Sequence, residues 1–257
     1  MKKKIALVLS GGAALGFAHI GVIDALEQND IHVDIVVGTS MGGLIAGCYA
    51  TGVDCDTMTK FATKFRNINF FDFNFDKEGI FSGKGIMKTI NKIIPDVKIE
   101  DLNKKFACVA CDLSKEEMVV FDKGSLRDAI RCTISIPGLF VPFKLEDKVL
   151  VDGGVLNNLP EDIAKKMGAD VIISCDVLDK FKLKSAKKNP AETMLFATNC
   201  CIKELQKYKA RFADITLTPD TSEIYQMRFT KENTLNAINV GKIECEKHID
   251  EIKKLIK

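Results

Sequence analysis

Ser40 stands in Gly38-Thr39-Ser40-Met41-Gly42, a G-x-S-x-G pentapeptide between an apolar run at 33–37 and a small-residue run at 44–51. A serine in that setting sits on a sharp strand-to-helix turn that pushes its hydroxyl out of the sheet edge, where it can attack a carbonyl. Glycine is needed on either side because the turn is too cramped for a Cβ. The helix that follows directs its N-terminal N–H groups towards whatever Ser40 holds. A second glycine turn, Ser10-Gly11-Gly12-Ala13-Ala14-Leu15-Gly16, follows the apolar run 5–9. Successive backbone N–H groups in such a turn form an anion nest. Beside a nucleophilic serine, that nest would serve as an oxyanion hole. Ala13 can offer its N–H if its φ is negative. The rival reading, a phosphate loop, fits poorly, because Gly11 and Gly12 are adjacent and Gly16 is followed by Phe17, matching neither G-x-G-x-x-G nor G-x-x-x-x-G-K-[ST].

A serine needs a base, and the chain holds only three histidines, His19, His32 and His248. His19 falls on the apolar face of a predicted helix, His32 in a turn and His248 among charged residues near the end, so each reads as structural or solvated. Asp152 is the better base. It ends the apolar run of Val149-Leu150-Val151-Asp152-Gly153-Gly154, a carboxylate at the carboxyl end of a strand, where parallel-sheet active sites assemble. Burial there would raise its pKa and suit it to accept the Ser40 proton. Asp112 and Asp176 also end apolar strands and are expected to brace loops. Ser135, with no glycine elbow before it, is expected to shape the turn at Pro137.

These residues need a scaffold, and the hydrophobic periodicity supplies one. Strands are predicted over 5–9, 33–37, 106–111, 117–121, 148–151, 171–176 and 214–217, and helices over 15–28, 44–51, 84–93, 126–134, 161–167, 191–208 and from 231 to the end. Continuous apolar strands alternating with helices imply an α/β fold with a mostly parallel sheet covered on both faces. The 257 residues, 46% hydrophobic and 28% charged, suffice for one sizeable core, and a single domain over 1–257 is expected, with the Lys-rich stretch 179–190 a surface loop. A net charge of +2 offers no broad basic field for nucleic acid. Two glycine-broken apolar stretches, 5–23 and 35–53, read as strand, turn and buried helix rather than membrane spans, and the Lys-rich start lacks a signal-peptide cleavage site. Nine scattered cysteines suit a reducing compartment. Cys108 and Cys111 lie three apart in a strand, facing opposite sides, so no metal site is expected. Phenylalanines 65, 70, 71, 73, 75 and 81 crowd one stretch that reads as buried core, with an acyl-chain wall or interfacial lid as the rarer reading.

Taken in order, the loop 10–16 with Ala18-His19-Ile20-Gly21-Val22, the elbow 38–42, Ser135-Ile136-Pro137-Gly138-Leu139-Phe140, and Asp152-Gly153-Gly154 with Asn157-Asn158-Leu159-Pro160 resemble the patatin-like phospholipase family over most of the chain. The resemblance implies a three-layer α/β/α sandwich and a Ser/Asp dyad that hydrolyses lipid acyl esters without metal, histidine or cofactor. It assigns Ser40 as nucleophile, Asp152 as base, Gly38 and Gly42 as elbow and Gly11, Gly12 and Ala13 as the oxyanion loop. The expected partner is a lipid ester, met at a membrane surface by a cytoplasmic or peripheral protein. The chain departs from the family's usual loop at Ala13, where a third glycine is common, and at Leu15, where an arginine is common. Acyl transfer to an alcohol, and a lipid-binding module with little turnover, are the alternative functions.

Overall fold

Residues 3–65, 81–183 and 190–257 are described by a computed structural model, with only the backbone given at 190 and 191. The described strands are β1 (Ile5–Leu9), β2 (Ile35–Thr39), β3 (Lys105–Asp112), β4 (Glu117–Phe121), β5 (Phe143–Leu145), β6 (Lys148–Asp152), β7 (Val171–Cys175) and β8 (Ile215–Leu217). They form one sheet in the order β5-β6-β3-β2-β1-β7-β8, with β4 also paired to β3. β1, β2, β3, β7 and β8 run parallel, as their uninterrupted aliphatic sequences require of strands buried on both faces. β4, β5 and β6 add antiparallel pairings at one side.

The helices are α1 (Ala18–Gln28), α2 (Met41–Ala50), α3 (Cys55–Lys64), α4 (Lys84–Ile90), α5 (Leu126–Thr133), α6 (Gly154–Asn157), α7 (Glu161–Lys166), α8 (Pro190–Tyr208) and α9 (Lys231–Ile256). Strand alternation divides the interior in two. Ile5, Leu7 and Leu9 enter the larger core with apolar side chains of α1, α2, α5 and α9, whereas Ala6 and Val8 face a smaller core closed by Ile163 and Ala164 of α7. The fold is thus a three-layer α/β/α sandwich.

Helix starts follow local chemistry. Asp54, Ser125 and Thr230 cap α3, α5 and α9 by accepting from the N–H groups of Thr57, Asp128 and Asn233. The helix expected from residue 15 begins at Ala18, because residues Ala13–Phe17 form a 3-10 turn first. Sequence periodicity did not reveal α3, whose buried residues are Cys55, Met58 and Ala62. Three apolar positions among β-branched threonines make a faint stripe. β5 has three residues and is too short to alternate visibly.

α1 and α9 cross at two glycines. A Cβ on Gly241 would lie 1.9 Å from the Ala18 carbonyl oxygen, and one on Gly21 would lie 1.9 Å from that of Ile238. Backbone oxygens cannot step aside as a flexible side chain can. Gly241→Ala is therefore expected to destabilise the protein by about 3 kcal/mol through separation of the two helices, read as a lower urea midpoint.

No helix among the described residues is long and apolar enough to cross a membrane. Phe65 and Phe81 are buried in the larger core, as expected of most of their cluster, while Phe70, Phe71, Phe73 and Phe75 lie outside the described residues. The lysine-rich stretch lies in part outside them too.

Candidate active site

The elbow is built by exclusion. Ser40 has φ 54° and ψ −126°, a conformation that costs a residue with a Cβ about 1–3 kcal/mol unless its surroundings enforce it. They do so by crowding. A Cβ on Gly38 would lie 2.4 Å from the Gly42 carbonyl, and one on Gly42 would lie 2.2 Å from the Leu9 carbonyl oxygen. The Ser40 N–H is also tied down, donating to Thr133 Oγ1 at 2.9 Å, and Thr133 in turn donates to the Val109 carbonyl at 2.6 Å. α2 starts at Met41, directly after the serine, so the positive end of its dipole lies beside the hydroxyl.

Asp152 reaches Ser40 by a route that differs from the expected one. β6, which it ends, runs antiparallel to β3 and is not one of the parallel strands. On β3, Val109 pairs with Thr39 of β2, and the next residue, Ala110, pairs with Asp152 of β6. β4 occupies the other edge of β3 at these same positions. β2 and β6 therefore meet head to head along one edge of β3, and Ser40 and Asp152 come together where they abut.

Asp152 is 6% exposed, and burial pushes its carboxyl up to about 7. A hydrogen bond from the Ser40 side chain and one from the Gly154 N–H to Oδ1, at 2.8 Å, act in the opposite direction and are outweighed. The Asp152 N–H donates to the Ser135 carbonyl at 2.9 Å.

The glycine turn lies alongside, and Gly11, Gly12 and Ala13 share a cleft with Ser40, Asp152 and Asn158. Its amides are not equivalent. The Gly11 N–H donates to the Asn158 carbonyl at 3.2 Å and the Ala14 N–H to the Gln226 carbonyl at 3.0 Å. Among the described residues, the Gly12 and Ala13 N–H groups have no such acceptor. Ala13 has a positive φ of 49°, not the negative φ on which its N–H contribution is conditioned, because the chain must turn from the β1 end into the 3-10 segment within one residue. Alanine tolerates this left-handed conformation at a cost of about 1 kcal/mol relative to glycine. Leu15, the other departure from the usual loop, is fully buried in the larger core.

Two residues to which sequence reasoning assigned no role hold the glycine turn and the elbow, one each. Asn158 Nδ2 donates to the Gly11 carbonyl at 3.3 Å, and its side chain fills the space beside Gly11. Thr133 holds the elbow from α5. Asn158 carried a signal, its place in the segment after Asp152, whereas Thr133 carried none beyond preceding the Ser135 turn.

The remaining candidates fall away from the chemistry. His19 is buried and its imidazole is pushed down to about 4 by desolvation, so it is neutral and donates from Nε2 to the Ser10 carbonyl at 2.8 Å. His248 is flanked by Glu244 and Glu251 of its own helix. Asp112 Oδ1 accepts from the N–H groups of Ser114 and Val149, and Asp176 Oδ1 from that of Leu178, both bracing loops as expected. Ser135 bonds the Arg131 guanidinium and the Arg131 carbonyl, and serves its turn. Burial raises the Cys108 thiol well above the usual range and also raises Cys111, and three residues apart on β3 they face opposite sides.

A second cleft opens at Ala13 and Ser40 and is walled by apolar side chains including Met41, Leu44, Ile134, Phe140 and Phe229. Ser40 and Ala13 line both clefts.

Among known proteins, the chain is 37% identical over 181 residues to patatin-like phospholipase domain-containing protein ZK370.4 of Caenorhabditis elegans, covering 67% of this chain and 13% of that one. It is also 37% identical over 181 residues to lysophospholipase nte1 of Emericella nidulans, covering 68% of this chain and 12% of that one. The chain thus spans about an eighth of these relatives' length. VipD from Legionella pneumophila superimposes with a TM-score of 0.66 over 98% of this chain and 67% of its own, at 16% identity, a likeness of fold. The profile described as patatin-like phospholipase matches residues 7–165, which hold the end of β1, the glycine turn, the elbow and Asp152, and the chain belongs to that family.

Proposed function

We propose that this chain is a serine acyl hydrolase that cleaves carboxylic esters of phospholipids, lysophospholipids or related lipids, with residues 1–257 acting as one domain. The observation that carries the reading is the convergence on one cleft of the Ser40 hydroxyl, a buried carboxyl raised to about 7 and two backbone amides without an acceptor among the described residues. The printed names of the relatives, phospholipase and lysophospholipase, support the lipid ester class.

In the proposed reaction the acyl chain lies in the apolar cleft and the ester carbonyl sits over Ser40. As Ser40 Oγ attacks the carbonyl carbon, its proton passes to the Asp152 carboxylate. The charge that develops on the carbonyl oxygen is met by the Gly12 and Ala13 N–H groups, with Gly11 shaping the loop through its bonds to Asn158. Protonated Asp152 then delivers its proton to the departing alcohol oxygen as the C–O bond breaks, leaving acyl-Ser40. Water, deprotonated by Asp152, attacks the acyl carbon, the bond to Ser40 Oγ breaks as Asp152 returns the proton to that oxygen, and the fatty acid is released.

Only ionised Asp152 can take the serine proton, so kcat/KM is expected to rise with pH through a single apparent pKa near 7 and to be lost below it. Initial rates on a water-soluble acyl ester between pH 5 and 9 check this. A fluorophosphonate probe tests the assignment itself. Labelling of the wild type, absent from Ser40→Ala and much slowed in Asp152→Ala, is the expected result. A wild type that neither labels nor turns over any ester would overturn it.

A further inference from the structure

We infer that a cleft separate from that of Ser40 binds a small hydroxylated anion, either a polyol phosphate or a hydroxycarboxylate. α6 and α7 line it with Asn157, Glu161 and Asp162, and the end of α8 and the chain beyond line it with Gln206, Lys209 and Arg211. It has no lining residue in common with the cleft that holds Ser40 and Asp152. Two of its residues carry a buried polar atom without a partner among the described residues. Asn157 is 1% exposed, and its Nδ2 donates to Asp162 Oδ1 at 2.8 Å, but its Oδ1 accepts from nothing. Gln206 Nε2 donates to nothing. Such atoms are rare inside proteins, because each has given up water without a substitute. One is an acceptor and the other a donor, and hydroxyl groups answer both, donating to Asn157 Oδ1 and accepting from Gln206 Nε2.

The charges give the sign of the ligand. Both carboxylates are engaged by the protein. Glu161 Oε1 accepts from Ser174 Oγ at 2.9 Å and pairs with Arg211 at 3.0 Å, and its Oε2 accepts from the N–H groups of Phe212 and Ala213. Asp162 holds Asn157 Nδ2 and pairs with Lys166 at 3.5 Å. The cations keep capacity to spare. Lys209 has no ion pair among the described residues, and burial lowers its ammonium below the ordinary range against the pull of Asp162. Arg211 meets Glu161 and Thr216 through Nη2, which leaves Nη1 and Nε without a bond among the described residues. An anion, rather than a cation, therefore completes the lining. The Asn157 main-chain carbonyl meanwhile accepts from Oγ1 of Thr39, the residue before Ser40, at 2.8 Å, and α8 also walls the Ser40 cleft through Leu195 and Ile202. The site is thus tied to the elbow and to the Ser40 cleft without belonging to either.

Isothermal titration calorimetry of the full chain with glycerol 3-phosphate and with glycerate, beside inorganic phosphate alone and glycerol alone, tests this. At least one of the two hydroxylated anions is expected to bind with a Kd of about 1 mM or tighter, and about tenfold or more ahead of phosphate and of glycerol. The tighter of the two identifies the anionic group. Lys209→Met should weaken that ligand about tenfold or more, the loss of a charged hydrogen bond, and Gln206→Leu about threefold or more, the loss of a neutral one. Ser40→Ala should bind it as the wild type does, because the cleft owes nothing to hydrolysis. The inference is overturned by an absence of binding with both hydroxylated anions, by inorganic phosphate binding as tightly as either, or by affinity that Lys209→Met or Gln206→Leu leaves unchanged. Affinity lost in Ser40→Ala would place the ligand in the other cleft and overturn it too.

Discussion

Replacing Asp152 with asparagine is expected to lower kcat/KM for ester hydrolysis by about 10³-fold and, at pH 8, to make the protein more stable. Both effects come from burial. A carboxyl held at about 7 in the folded chain and near its ordinary 3.8 in the unfolded chain binds its proton more tightly when folded. Its contribution is therefore favourable below pH 4, is lost as pH rises through the interval between the two values, and is wholly lost above 7. The difference is on the order of 4 kcal/mol, an upper bound for the penalty of ionised Asp152 in its cleft. Asparagine keeps an oxygen to accept from the Gly154 N–H and carries no charge. Urea unfolding of wild type and Asp152→Asn at pH 5 and pH 8 should show the gap widening at the higher pH. A gap that is constant or reversed would mean that the carboxylate is better solvated than its burial implies.

Ser40→Gly should abolish turnover, by about 10⁴-fold or more, and stabilise the protein by about 1–2 kcal/mol. The conformation at φ 54° and ψ −126° is open to glycine without penalty, and crowding at Gly38 and Gly42 keeps the turn in place whatever residue occupies position 40. Ser40→Ala provides the control. It loses the same activity but keeps a Cβ, so its midpoint should stay near that of the wild type. Equal stability of the glycine and alanine variants would show that the elbow stores no strain.

The elbow was legible because its chemistry is local: glycines too close to neighbouring backbone for a Cβ, an apolar strand before them and a helix after. The strands were legible for a similar reason, since aliphatic runs such as 5–9 leave few alternatives. The direction of β6 was not. An apolar run ending in Asp-Gly-Gly gives no hint that it pairs antiparallel with β3, because pairing partners are set by contacts far apart in the chain. The resemblance to a family united Ser40 and Asp152 on paper, while the actual reason for their meeting, the succession of Thr39 and Asp152 along one edge of β3, required the sheet. The sign of φ at Ala13 escaped for the opposite reason. It is a single-residue property forced by the sharp entry into the 3-10 turn, which glycine would have signalled and alanine concealed.

That end-to-end meeting of β2 and β6 would make the proposed hydrolysis a sensor of strand alignment. Sliding β6 along β3 by a single position would carry Asp152 roughly 3.3 Å and rotate its carboxylate to the opposite side of the sheet, leaving the helices packed much as before. An insertion or deletion in the β5–β6 hairpin is thus expected to silence the proposed activity long before it unfolds the protein.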